Sequence, residues 1–303
     1  MKRLALFVLL LATACGGEGA VKSKHVLLIG IDGVRVDALQ QADTPSLDGL
    51  IEMGTVTYDA FAGGVLGTPS EQMTWSGPGW SSILTGVWVD KHGVEINVFD
   101  EARFDEYPHF FARVRQVEPE AYLSSFVTWA PINESIAAPS EPDEMFSPAN
   151  AVDSAQGDQA VTAAVVAHLA AETPMVVFVQ LDEVDHQGHA AGFSPTVPEY
   201  IHAIEVVDFQ IGQMLAVVQA RPTIDQEDWL FLVTTDHGGA GQWHGMQSDE
   251  ERTIFIIASG GSLPGGRIVS PGPGQTAIAP TVLAHLRIPV DEAWGWESKA
   301  FAF

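Results

Sequence analysis

Several residue groups in this chain have the types and spacing to do chemistry. Ser76-Gly77-Pro78-Gly79 sets a hydroxyl at the mouth of what reads as a short helix stopping at Thr85-Gly86. Proline suits a helix's first turn, where its missing N–H would be unpaired anyway, and glycine suits the stop. A serine there faces unpaired backbone N–H groups and the positive end of a helix dipole, a good seat for an anionic ester. In Asp185-His186-Gln187-Gly188-His189, a carboxylate and an imidazole stand at i and i+4. One helix face would carry both, so they can share a cation. Asp236-His237-Gly238-Gly239 follows an apolar run, with His244 soon after, and Asp32-Gly33 ends another such run. Adjacent residues inside a strand point to opposite faces, so Asp236 and His237 share a metal only if the chain has left the strand there. The paired glycines would allow that turn. Mixed aspartate and histidine donors suit zinc best, with iron, manganese or cobalt as alternatives. Each group alone also reads as a turn or a surface polar pair; their joint occurrence argues for a site.

The elements that must carry these groups are legible as alternating runs. Residues 25–31, 175–181 and 229–235 are continuous apolar stretches of the kind buried in a parallel sheet, and 252–258 is a fourth. Residues 55–61 and 121–128 are also strand-like. Helical spacing runs over 36–53, with Thr44-Pro45-Ser46 able to start a second helix inside it. Further helices are expected over 107–117, 154–172, 197–219 and 276–286, and a loop over 87–97. Strands alternating with helices predict an α/β fold: a mostly parallel central sheet with helices on both faces. Ligands in such sheets bind at the carboxyl ends of strands, which is where Asp32, Asp182/Asp185 and Asp236 fall. Residues 95–150 are expected to cover the substrate side, with Trp129 and Phe146 as stacking surfaces or core.

With 46% hydrophobic residues in 303, the chain can bury a sizeable core. The net charge of −25 argues against a nucleic-acid-binding surface, which would need basic stripes. It leaves phosphate esters open, since a bound cation reverses the local field. Lys2 and Arg3, an apolar core from Leu4 to Leu11 and the small residues Ala12-Thr13-Ala14 read as an export signal. The only cysteine, Cys15, follows directly. Its position predicts a lipid-anchored, exported protein whose mature chain starts at residue 15, with 15–24 as a tether and 25–303 as the folded domain.

Taken together, Asp32-Gly33, Ser76 with Thr85-Gly86, Asp185-x-x-Gly188-His189, Asp236-His237-Gly238 and His244-Gly245 resemble the alkaline phosphatase superfamily. The branch they resemble most is the type I phosphodiesterase/nucleotide pyrophosphatases, which also carry His92-Gly93 and Asn97 after the nucleophile. The segment Ile278-Ala279-Pro280-Thr281 with Ile288-Pro289 resembles the superfamily's closing helix. The resemblance implies a three-layer α/β sandwich and a small-molecule phosphate ester as substrate. It implies two divalent cations, one on Asp185, His189 and His244, the other on Asp32, Asp236, His237 and Ser76. Ser76 would be the nucleophile and pass through a covalent phosphoseryl intermediate, with Asn97 and the Gly77 backbone holding non-bridging oxygens. Thr74 is a nearby competitor; the nine-residue spacing to Thr85 favours Ser76.

Two positions depart from that pattern. Gly79 stands where the diesterase branch usually has asparagine, and Trp80 stands where sulfatases have the arginine of their modification motif. Sulfate-ester hydrolysis is therefore the secondary expectation, alongside phosphomonoester or phosphonate hydrolysis. No Arg or Lys lies between Ser76 and Lys91 to hold the extra charge of a monoester, which favours diesters. A non-catalytic, lipid-anchored binding protein is the remaining alternative.

Overall fold

The first strand, β1 (Ser23–Ile31), divides its side chains between two cores, as the two-residue period of a strand requires. Val26 and Leu28 join one core with Trp80, Phe110 and Phe178. Leu27, Ile29 and Ile31 join another with Val177, Tyr200 and Phe255. The computed structural model describes residues 21–149, 151–261 and 263–303. The expected export signal and Cys15 lie outside the described residues, as does most of the expected tether.

Seven further strands complete the sheet: β2 (Gly54–Phe61), β3 (Leu123–Val127), β4 (Glu144–Phe146), β5 (Val176–Leu181), β6 (Glu227–Thr234), β7 (Thr253–Gly260) and β8 (Arg267–Ile268). Their order is β4-β3-β5-β1-β6-β7-β2-β8. Only β7 runs antiparallel, to both β6 and β2. The mostly parallel sheet covered on both faces is as expected. The helices in chain order are α1 (Val36–Leu39), α2 (Pro45–Met53), α3 (Ser76–Thr85), α4 (Val89–His92), α5 (Phe110–Val117), α6 (Ser154–Ala171), α7 (Glu183–Ala191), α8 (Pro198–Gln219), α9 (Asp249–Arg252) and α10 (Ile278–Leu286). Residues of α3, α5 and α10 fill the core on one sheet face, and residues of α2, α6, α7 and α8 fill the other. These are the three layers.

Two local expectations change, and the second helix allowed for inside 36–53 is present. The 36–53 run is two helices, because Pro45 restarts the chain as the first residue of α2. The expected loop at 87–97 contains the single turn α4. Most of the expected cap at 95–150 is built into the sandwich: β3 pairs with β5, β4 pairs with β3, and Phe110, Phe111 and Val114 of α5 are fully buried. An apolar helix face and two strands bury more surface inside the sandwich than above it.

Candidate active site

The registers set three strand ends level. Ile31 pairs with Leu181 across β1 and β5, and Gly30 pairs with Thr234 across β1 and β6. Asp32 therefore leaves the sheet beside Asp182 on one side and the Thr235-Asp236 segment on the other. β5 turns directly into α7, whose first turns carry Asp185 and, one turn on, His189. Helix α3 begins at Ser76, and its buried indole Trp80 lies against β1.

Two donor groups result. In the first, His189 Nε2 lies 3.3 Å from Asp185 Oδ2 and 3.0 Å from His244 Nε2, and His244 Nε2 lies 3.5 Å from Asp185 Oδ1. In the second, His237 Nε2 lies 3.2 Å from Asp236 Oδ2 and 3.5 Å from Asp32 Oδ1. Ser76 Oγ lies 3.4 Å from His237 Nε2 and 3.5 Å from Asp32 Oδ1. His237 stacks on His244 at 3.9 Å between ring centroids, so the two groups share a wall and His237 reaches toward both.

These groups fit cations, on two observations. Each histidine has its Nδ1 2.8 Å from a backbone carbonyl: Gly238 for His237, Gln242 for His189, Thr74 for His244. A carbonyl accepts only, so each Nδ1 carries the proton and each Nε2 presents a bare lone pair. His189 and His244 thus point two lone pairs at each other across 3.0 Å, an arrangement a cation between them relieves. Asp185 Oδ1 and Asp236 Oδ2 are buried without a hydrogen-bond donor, and among the described residues no Lys or Arg pairs with any of the three aspartates. Two fully buried carboxylates and a third only 14% exposed are costly to hold together without a cation.

The titration behaviour follows. Burial, then the charges of Asp236 and Asp185, pushes Asp32 well above the usual carboxylate range. Burial raises Asp236 to about 6. Burial would raise Asp185 as well, but the protonated form of His189, which donates to it through Nε2, outweighs burial and holds it low. Burial lowers His237 and His244, which keeps both neutral.

Thr74, the competing hydroxyl, is already committed: it donates to the Met246 carbonyl at 2.8 Å and accepts the Gly245 N–H at 3.0 Å. Gly77 departs from its expected part. Its N–H donates to Asn97 Oδ1 at 2.7 Å, so it orients Asn97 and is not itself open to substrate. The absence of a side chain there is required, since a Cβ would sit 2.7 Å from the Ile96 carbonyl. With Oδ1 occupied, Asn97 keeps its NH₂ without a protein partner among the described residues. Gly238 and Gly239 do not turn the chain through a positive φ. A Cβ would meet the Glu250 carbonyl at 2.1 Å in one and the Phe193 ring at 2.3 Å in the other, so close approach explains both. His92 is buried with Nδ1 accepting from Val94 N and Nε2 on Ser82 Oγ, and burial lowers it to about 3. It orients the post-nucleophile loop. His186 is exposed. Trp129 packs on Phe99 and Phe146 on Phe126, as core.

Sequence reasoning missed the residues that aim the donors. Trp80 Nε1 donates to Asp32 Oδ2 at 2.8 Å, and Gln180 Nε2 donates to the same oxygen at 3.1 Å. Both donors on Oδ2 leave Oδ1 to face Ser76 and His237. Gly30 makes this possible: a Cβ there would lie 2.2 Å from the Trp80 ring. Asp158, fully buried in α6, accepts the Asp182 and Glu183 N–H groups at 2.8 and 2.9 Å, anchoring the first turn of α7 beneath Asp185. The available signals were a lone glutamine inside the apolar run of β5 and a lone charge inside an alanine-rich helix. Trp80→Phe keeps most of the ring volume and removes the N–H. Its expected effect is a cation bound ~10–100-fold more weakly at the Asp32 group, the usual loss for an outer-shell partner. Competition with a chromophoric chelator measures this, and an unchanged dissociation constant would exclude the role.

Residues 26–242 match the family model described as type I phosphodiesterase / nucleotide pyrophosphatase. Among solved structures, the chain is similar to a 2-O GAG sulfatase (TM-score 0.70, 13% identity, covering 89% of this chain and 72% of that one). It is also similar to the phosphonate monoester hydrolase of Silicibacter pomeroyi (TM-score 0.67, 15% identity, 92% and 76%). A third is murine ectonucleotide pyrophosphatase / phosphodiesterase 5, solved in complex with AMP (TM-score 0.63, 13% identity, 88% and 96%). At these identities the likeness is one of fold. No curated protein matches the chain by sequence. With the family match covering residues 26–242, most of the chain and every residue of the two donor groups except His244, the chain belongs to the type I phosphodiesterase/nucleotide pyrophosphatase family of phosphoric ester hydrolases.

Proposed function

We propose that the chain hydrolyses phosphodiesters, with Ser76 as nucleophile and two divalent cations, zinc by preference, on the two Asp/His groups. The observation that carries this is the position of Ser76 Oγ, within 3.5 Å of both Asp32 Oδ1 and His237 Nε2 on the first residue of a buried helix. Bound there, the cations would make the Ser76 alkoxide available near neutral pH and offset charge on the transferring phosphoryl group. Ser76 Oγ attacks phosphorus in line with the departing ester oxygen, which takes up the serine proton and leaves as an alcohol, so that the phosphoryl group stays on Ser76 with its second ester intact. Water then attacks phosphorus from the vacated side, returns a proton to Ser76 Oγ and releases a phosphomonoester. Asn97 donates its NH₂ to a non-bridging oxygen. In the first turn of α3, Pro78 has no N–H and the Gly77 N–H is engaged by Asn97, which leaves the Ser76 N–H as the second donor.

Diester preference rests on charge. A monoester carries one more negative charge, and no Lys or Arg pairs with the site's aspartates to hold it. One charge-assisted contact is worth ~1.5–3 kcal/mol. With a single aryl leaving group, kcat/KM for the diester should exceed that for the monoester by ~10–100-fold. A panel of aryl phosphodiester, phosphomonoester, phosphonate and sulfate tests this. Higher kcat/KM on the monoester or the sulfate would overturn it.

A further inference from the structure

The outward side of helices α6 and α8 is unlike the rest of this surface. The chain carries a net charge of −25, yet the only ionisable residues of α6 are Asp158 and His168, and both are buried. From Val206 to Gln219, Asp208 is the only ionisable residue of α8, and it is buried against the N–H groups of Ser46 and Leu47. Alanines, uncharged amides and apolar side chains remain outside. Phe209 stands 67% exposed beside Val206. Between the helices runs a groove of about 490 Å³, lined by Ala163, Val166, Phe209 and the amides Gln159 and Gln213. Gln210 also lines it. That residue is 7% exposed, and its Oε1 has no hydrogen-bond donor.

We infer that this face docks a second copy of the same chain about a twofold axis, Phe209 of each entering the groove of the other. Two strongly acidic chains repel over most of their surface, and here they meet without burying a carboxylate. Small alanines let helices approach closely, and an isologous contact needs one patch that is complementary to itself. The exposed amides Gln159 and Gln213 on the banks of the groove discriminate between occupants. Facing amides of the other copy pair with them, whereas a lipid chain buries both unpaired. Helix α6 runs ~27 Å at 1.5 Å per residue. With α8 beside it, the face is large enough for a contact near ~800 Å² per partner.

Sedimentation velocity of the full chain carrying Cys15→Ser, which removes the acylation candidate, tests this. The expected result is a species of twice the chain mass. Phe209→Glu and Ala163→Glu, on opposite banks of the groove, should each raise the dimer dissociation constant ~30-fold or more, as loss of a central anchor does. Circular dichroism and turnover per chain should stay unchanged, because neither residue touches the site. A monomeric parent chain overturns the inference, as does a dimer that persists in both variants. Flotation of a monomeric chain with phosphatidylcholine vesicles also overturns it, in favour of a lipid surface.

Discussion

Ser76→Ala is expected to lower kcat on an aryl phosphodiester by at least ~10⁴-fold, the scale on which losing a nucleophile acts. The loss should be this large because no neighbouring hydroxyl can take over. Thr74 has its donor and acceptor engaged by Met246 and Gly245. Ser81 and Ser82 point back into the helix and toward His92. Cation binding should fall far less, since the Asp32 group keeps two carboxylates and an imidazole. That separation distinguishes a nucleophile from a mere ligand. Full activity in Ser76→Ala would remove the assignment. Equal loss of cation and turnover would make Ser76 structural.

Sequence pattern carried the sheet and the donors for a physical reason. A parallel strand buried on both faces must be continuously apolar, so β1, β5 and β6 announce themselves. An aspartate directly after such a run is anomalous unless the strand end is a site. The aiming residues were harder to see, because hydrogen-bond partnership depends on where two distant segments meet. Trp80 is 48 residues from Asp32, and only the packing of its ring onto Gly30 explains its identity. At the sequence level it registered merely as a departure from the sulfatase pattern. A glycine after the nucleophile permits close approach at Gly77, but which backbone approaches, the Ile96–Asn97 turn, is a tertiary fact. The entry of β3 and β4 into the sheet was hidden for a similar reason. Residues 95–150 are rich in loop-forming types, while β3 and β4 are short and acquire their role only by pairing onto β5.

The second large effect concerns stability. Added zinc is expected to raise the melting temperature of chelator-treated protein, and to raise it more at about pH 7.5 than at about pH 5. At ~1,000 times its dissociation constant, a cation bound only by the folded chain contributes ~4 kcal/mol. In a domain of this size that is ~10 °C. The sign with pH follows from the aspartates. Burial raises Asp32 and Asp236, the latter to about 6, above the unfolded value of 3.8. Without a cation, the stability these two groups supply is therefore present while they hold protons and is lost as pH rises through about 6. A cation competes with those same protons, so its apparent affinity grows over that window. His189, raised by its hydrogen bond to Asp185, also holds a competing proton at low pH. His237 and His244 hold none, because burial already keeps them neutral. Differential scanning fluorimetry at the two pH values, with and without zinc, reads the difference. Asp236→Asn should abolish most of the increment at both. An increment independent of pH, or one that survives Asp236→Asn, would mean that the cation binds elsewhere.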